Sequence, residues 1–111
     1  MKKVSSTYIV IEEDVKKFEK LLRGKSKSTI DMRYLRIALT KLGYELSPDS
    51  IRDLIAELSE DSSNIARHTA NSLKLFIRTV VKEKNLQLAQ LLYNSFKVPR
   101  YNKGITFRYG V

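Results

Sequence analysis

The apolar positions of this chain fall into five blocks at helical spacing. Over residues 12 to 23, Val15, Phe18 and Leu22 recur about one turn apart. Glu12, Glu13 and Asp14 stand at the end of that block where a helix favours negative charge, and Gly24 follows its last turn. Upstream, Tyr8 and Ile11 continue the same spacing, which would start the helix near Ser6. The β-branched run Ile9-Val10-Ile11 suits a short strand instead. After the linker Lys25-Ser26-Lys27, Ser28 can cap a second helix over 29 to 42, with Asp31 completing a capping-box-like arrangement. That helix turns Ile30, Tyr34, Ile37, Ala38 and Leu42 to the core and stops at Gly43.

Ser47-Pro48-Asp49 opens a third helix, an N-cap followed by proline at the first helical position, with Ile51, Leu54, Ile55 and Leu58 on its apolar side. Residues 59 to 64 read as a loop. A long fourth helix over 65 to 84 presents Ala66, Ala70, Leu73, Phe76, Ile77 and Val80. A fifth over about 86 to 96 presents Leu88, Leu91, Leu92 and Phe96, and Val98-Pro99 ends it. From 101 to 111 the period changes: Ile105, Phe107 and Tyr109 alternate with Thr106 and Arg108 as in a short strand, whose one candidate partner is residues 7 to 11. The pattern predicts an all-α bundle of four to five helices with a short strand at each terminus. No internal repeat or low-complexity tract interrupts it.

The polar positions carry a second signal. Thr29, Arg33, Arg36 and Thr40 on the second helix, and Arg67, Asn71, Lys74 and Arg78 on the fourth, share the spacing i, i+4, i+7, i+11. At about 100° per residue each set keeps within an arc of roughly 60° on one helical face. The chain carries 21 Lys and Arg against 12 Asp and Glu, a net charge of +9. The acids are concentrated: between residues 44 and 61, six of them (Glu45, Asp49, Asp53, Glu57, Glu60, Asp61) oppose Arg52 alone, so this segment holds −5 and the remainder +14. A polyanionic partner on one side, with the acidic segment facing elsewhere, is the expectation.

Composition also excludes chemistry. With no cysteine there is no disulfide, thiolate catalysis or Cys-ligated zinc, and His68 as the single histidine cannot build a His-based metal site. Glu12, Glu13 and Asp14 are consecutive, so they fan around a helix and do not converge on a metal. The longest apolar run, Tyr8 to Ile11, is about four residues against the ~18 needed to span a bilayer, and no signal-peptide core follows Lys2 and Lys3. The expectation is a soluble intracellular protein without cofactor, small-molecule substrate or membrane partner. Abundant Lys and Glu without Cys fit a thermophilic source.

Three local patterns give the chain a family likeness. The first is Phe18-x-x-Leu21-Leu22, then Ser26-x-x-Thr29 opening the second helix, with Tyr34 and Leu35 inside it. The second is Leu46-Ser47-Pro48-Asp49-x-Ile51. The third is Leu73-Lys74-x-Phe76, followed after the fifth helix by Val98-Pro99-Arg100. In this order, from Phe18 to Arg100, they resemble the N-terminal core-binding, or SAM-like, domain of tyrosine recombinases and phage-type integrases, archaeal or viral ones among them. Thr29 stands five residues before Tyr34, where many members have four. The family's catalytic residues have no counterpart: His68 is followed by Thr69-Ala70-Asn71, not by a histidine-x-x-arginine pattern, and no nucleophilic tyrosine motif appears.

The resemblance implies an orthogonal SAM-like bundle over residues 1–100, with 101–111 as a linker or tail toward a missing catalytic domain. It further implies that the second and fourth helices clamp double-stranded DNA through the major groove in site-specific recombination and integration, without catalysis by this chain. Other recombinase protomers would be its protein partners, with the acidic third helix as a docking surface. The setting would be a nucleoid or a viral protein inside a cell. Lys25, Lys27, Ser28, Thr29, Arg33, Arg36, Arg67, Asn71, Lys74 and Arg78 are the expected contacts. Asn71 is the candidate base reader, since asparagine can pair bidentately with adenine. Lys25 and Lys27, with Ser28 and Thr29 at a helix N-terminus, suit a phosphate. The rival is a small helical protein-interaction module, and it gains if the basic residues of helices two and four lie on separate surfaces.

Overall fold

The computed structural model describes residues 6–24 and 28–99, and of 28–30 the backbone alone. The order is β1 (Tyr8–Ile9), α1 (Glu12–Leu22), α2 (Ser28–Leu42), β2 (Glu45–Leu46), α3 (Pro48–Asp61), α4 and α5 (Leu86–Asn94). Here α4 is one continuous helical run: an α-helix over Ser63–Phe76, a π turn over Ile77–Val81 and a last α turn over Lys82–Lys84. The expected all-α bundle is therefore present, with five helices and one two-stranded ribbon among the described residues. No helix among the described residues is long and apolar enough to cross a membrane.

Capping chemistry sets most helix boundaries. Ser47 and Ser50 exchange hydrogen bonds at the start of α3, each side-chain oxygen accepting the other's N–H at 3.3 Å, with Pro48 where no N–H is needed. The loop expected over 59 to 64 is absent, because α3 runs on to Asp61 and Ser62 alone separates it from α4. Ser62 serves both ends. Its N–H donates to the Leu58 carbonyl at 2.8 Å while its Oγ accepts the Ile65 N–H at 3.3 Å. The Ser, Asp and Asn residues that read as loop are a cap and two exposed helical ends. Asn85 Oδ1 accepts the Leu88 N–H at 3.0 Å and starts α5, which ends at Asn94, short of the expected 96.

Between α2 and β2 the chain reverses through two left-handed residues, Gly43 at φ 69° and Tyr44 at φ 60°. The Tyr44 N–H returns to the Leu39 carbonyl at 2.8 Å and the Gly43 N–H to Thr40 at 3.2 Å. This is the paired closure that satisfies a helix C-terminus. It places β2 beside β1, antiparallel, with Tyr8 opposite Leu46 and Ile9 opposite Glu45. The strand alternative for the N-terminal segment thus holds over Tyr8 and Ile9, which pair with β2, and the other strand expected to pair with this segment is that of residues 105 to 109. Those residues lie outside the described chain, as do Lys25, Lys27 and Arg100.

The core takes Phe18 and Leu22 from α1, Leu35, Ala38 and Leu39 from α2, Ile51, Leu54 and Ile55 from α3, a long inner face of α4, and Ala89 and Leu92 from α5. Phe18 meets Phe76 edge-on, ring centroids 5.4 Å apart. On α2 the buried face passes through Leu35 and Leu39, while Ile37 is exposed and Tyr34 half-buried, which corrects the expected register. Apolar residues at 34, 35, 37, 38 and 39 offer two overlapping arcs about 100° apart, and periodicity does not rank them. Likewise Leu91 is exposed and Ala89 buried on α5.

Asp14 fastens the N-terminal segment to the end of α4. Fully buried, its carboxylate accepts the Tyr8 hydroxyl at 2.9 Å and the Ile11 N–H at 3.2 Å, and pairs with Lys84 Nζ at 2.8 Å. Burial alone would raise its pKa. The hydrogen bonds from Lys84, the Ile11 N–H and Tyr8 outweigh that effect and hold the carboxyl below its usual range, while burial and Asp14 push the Tyr8 hydroxyl up. A carboxyl whose folded pKa is depressed stabilises the fold above its unfolded pKa, and that contribution disappears as pH falls through the folded value. Asp14→Asn should therefore cost about 2 kcal/mol at neutral pH. Thermal melts of both proteins should converge as pH drops below about 4. A difference that is constant from pH 7 to 3 would contradict this role.

Candidate nucleic-acid interface

Because Ala66, Thr69, Ala70, Leu73 and Phe76 are buried, the opposite side of α4 must carry Arg67, Asn71, Lys74 and Arg78. These four line one open groove of about 360 Å³, with His68 and Leu75 beside them, Asp31 from α2 on one wall and Tyr93 from α5 on the other. Arg78 and Tyr93 are shared with an adjoining hollow of about 210 Å³, whose lining adds Lys82 from α4 and Gln90 and Asn94 from α5. The two concavities meet at Arg78 and Tyr93, and Leu86 and Ala89 make the wall of the second largely apolar. Among the described residues, Asp31 is the only acidic one that lines either of them. The charge bias has a sequence basis: from residue 62 onward there are nine Lys and Arg and one acid, Glu83. Glu83 is engaged by Lys17 of α1.

The π turn shapes the second hollow. Ile77, Thr79, Val80 and Val81 are β-branched and stiff in a helix. Thr79 Oγ1 donates to the Leu75 carbonyl at 2.7 Å, and the Lys82 N–H reaches back five residues to Ile77. The wider turn leaves Ile77, Val80 and Val81 all fully buried while Arg78 and Lys82 stay exposed over α5.

Within the groove the side chains differ in what they can do. Asn71 and Arg78 are exposed. Arg67 is half-buried, with Nη2 donating to Asn64 Oδ1 at 3.4 Å. His68 stacks on Tyr34, centroids 5.2 Å apart and planes 20° from parallel, so Tyr34 braces α2 against α4 at the groove's edge and is not a core residue. Ser72 donates to Asp31 Oδ1 at 3.4 Å and holds the groove's carboxylate in place.

Lys74 has a different task from the one its spacing suggests. Its ammonium donates to the Tyr93 carbonyl and, at 2.6 Å, to the Phe96 carbonyl, and it lies over both aromatic rings at 4.2 and 4.4 Å from their centroids. These are carbonyls at the end of α5, which a basic side chain can satisfy. Burial lowers the Lys74 pKa from its usual value. Two of its three donors hold α5 on α4.

The described side chains of the α2 stripe, Arg33, Arg36 and Thr40, do not line this groove. Asp31 and Tyr34 form the flank of α2 that meets α4, whereas Arg36 lies about 160° around the helix from Tyr34. Arg36 approaches Glu19 of α1 at 4.0 Å. Arg33 and Thr40 are exposed on the same outer side. Ser28 and Thr29 begin α2, their side chains outside the described part, and Lys25 and Lys27 lie outside it altogether. The structure thus gathers Arg67, Asn71 and Arg78 and adds Lys82, Gln90 and Asn94, which the sequence reading missed. Lys82 continues the stripe one turn beyond Arg78, a usable signal. Gln90 and Asn94 are uncharged amides one turn apart on another helix and offered none.

No group of His, Cys, Asp or Glu suited to a metal occurs among the described residues, Asp14 being committed to Tyr8, Ile11 and Lys84. Comparison with protein-family models, curated proteins and solved structures finds no match. If Lys74 is a strut, Lys74→Met should lower stability by about 1 kcal/mol and speed hydrogen exchange in α5 before the rest of the fold. Unchanged stability and exchange would return Lys74 to the set of ligand contacts.

Proposed function

We propose that the chain binds double-stranded DNA through the α4 groove and cleaves nothing by itself, in the manner of the core-binding domain of a site-specific tyrosine recombinase or integrase. The observation that carries the reading is the groove itself. One helix face and its neighbour present Arg67, Asn71, Arg78, Lys82, Gln90 and Asn94 along two adjoining concavities, with Asp31 as the carboxylate among their described lining residues. Arginine and lysine supply phosphate contacts and can pair with guanine, and asparagine and glutamine can pair with adenine. Asp31, an acceptor among donors, suits the exocyclic amine of cytosine. The setting would be a nucleoid or a virus-infected cell, with recombinase protomers as neighbours.

The separation of the α2 and α4 stripes favours a second reading, a small helical module that docks proteins through its basic and acidic faces. The groove's mixture of cations and amides places DNA first, because amides read base edges and add little to a purely ionic protein contact.

A gel-shift series with random duplex, a candidate attachment site and single strand tests the proposal. With about three phosphates neutralised by Arg67, Arg78 and Lys82, log K against log[salt] should fall with a slope of about −3 on duplex. Arg78→Ala should weaken all duplexes alike and flatten the slope by about one. Asn71→Ala should instead alter preference among sites. Affinity that is flat from low to moderate salt would refute the proposal.

A further inference from the structure

Outside the α4 groove, the described residues carry a second group of cations. On the outer side of α2, Arg33 and Arg36 are exposed about one turn apart, and Arg23 at the end of α1 is exposed one turn beyond Glu19, the carboxylate that Arg36 approaches. Arg36 and Glu19 have side chains 58% and 54% exposed at 4.0 Å, so their pairing contributes little and a phosphate can replace it. The major groove, about 12 Å wide, admits one helix. A duplex seated on α4 therefore leaves the outer side of α2 open.

We infer that this outer face is a second, weaker duplex-binding surface, so that one molecule holds two segments of DNA. The inference rests on the DNA reading of the α4 groove. With two or three cations and no concavity, the α2 face holds a duplex weakly by itself. It becomes effective once the first duplex is bound and many copies of the protein act together on long DNA. The acidic side of α3, with Asp53, Glu57, Glu60 and Asp61 exposed, repels phosphate and does not compete with these two faces for a polyanion.

The experiment is a bridging assay: bead-bound duplex, free labelled duplex and the full chain, with the label captured on the beads as readout and single-duplex gel shifts and sedimentation in parallel. The wild type should capture labelled duplex while remaining a monomer without DNA. Arg33→Ala/Arg36→Ala should keep its gel-shift affinity within about twofold yet lose capture by about fivefold or more. Arg67→Ala/Arg78→Ala should lose both. Gel shifts without capture by the wild type would overturn the bridging inference and leave the DNA reading intact, whereas no gel shift at all would overturn the DNA reading first. Capture that survives Arg33→Ala/Arg36→Ala would overturn the inference too and leave the α2 face to a protein partner.

Discussion

The domain is organised by the fact that α4 can bury only one of its sides. All four other helices pack against it, α1 and α5 mainly at its π turn and α2 and α3 along its first part. Its inner face, from Ala66 through Val81, is fully buried, and the edge-on Phe18–Phe76 contact lies within that core. Burying that face is worth about 25 cal/mol per Å² of apolar surface, and the gain is lost unless the neighbours close around it. The outer face is left polar by the same geometry. The walls that Asp31 and Tyr93 raise on either side of it turn an exposed helix face into a groove.

Two polar devices keep this arrangement fixed. Asp14 joins Tyr8, the start of α1 and the end of α4 in one buried cluster. Lys74 joins the middle of α4 to the end of α5 through two carbonyls. Each uses a charged group that would be costly to leave unpaired, so each specifies one docking of its helix more sharply than apolar packing alone. The Tyr34–His68 stack serves the α2 side of α4. The groove is thus walled by elements that are held by interactions outside its own ligand-facing residues.

Helix existence was legible in the sequence because caps and breakers are local: Ser47-Pro48 and Gly43 act within a turn of themselves. Which way a helix faces was legible only where the apolar arc was narrow. On α4 it was. On α2 the residues 34 to 39 allowed two registers, and packing against α4 chose the one through Leu35 and Leu39. The α4 stripe could be read as polar but not sorted, since Lys74 and Arg78 have the same spacing and only the position of α5 makes one a strut. The pairing of the two stripes could not be read at all, because it depends on how α2 is rotated about its own axis.

The most direct measurement is an NMR titration of the 15N-labelled chain with a short duplex, following backbone and side-chain amides. The account predicts that the largest shifts, saturating first, belong to Arg67, Asn71, Arg78, Lys82, Gln90 and Asn94. Asn71 and Gln90 side-chain NH₂ groups should move with them, and α3 should stay silent. Shifts centred on α3, or none at duplex concentrations that saturate the gel shift, would contradict it.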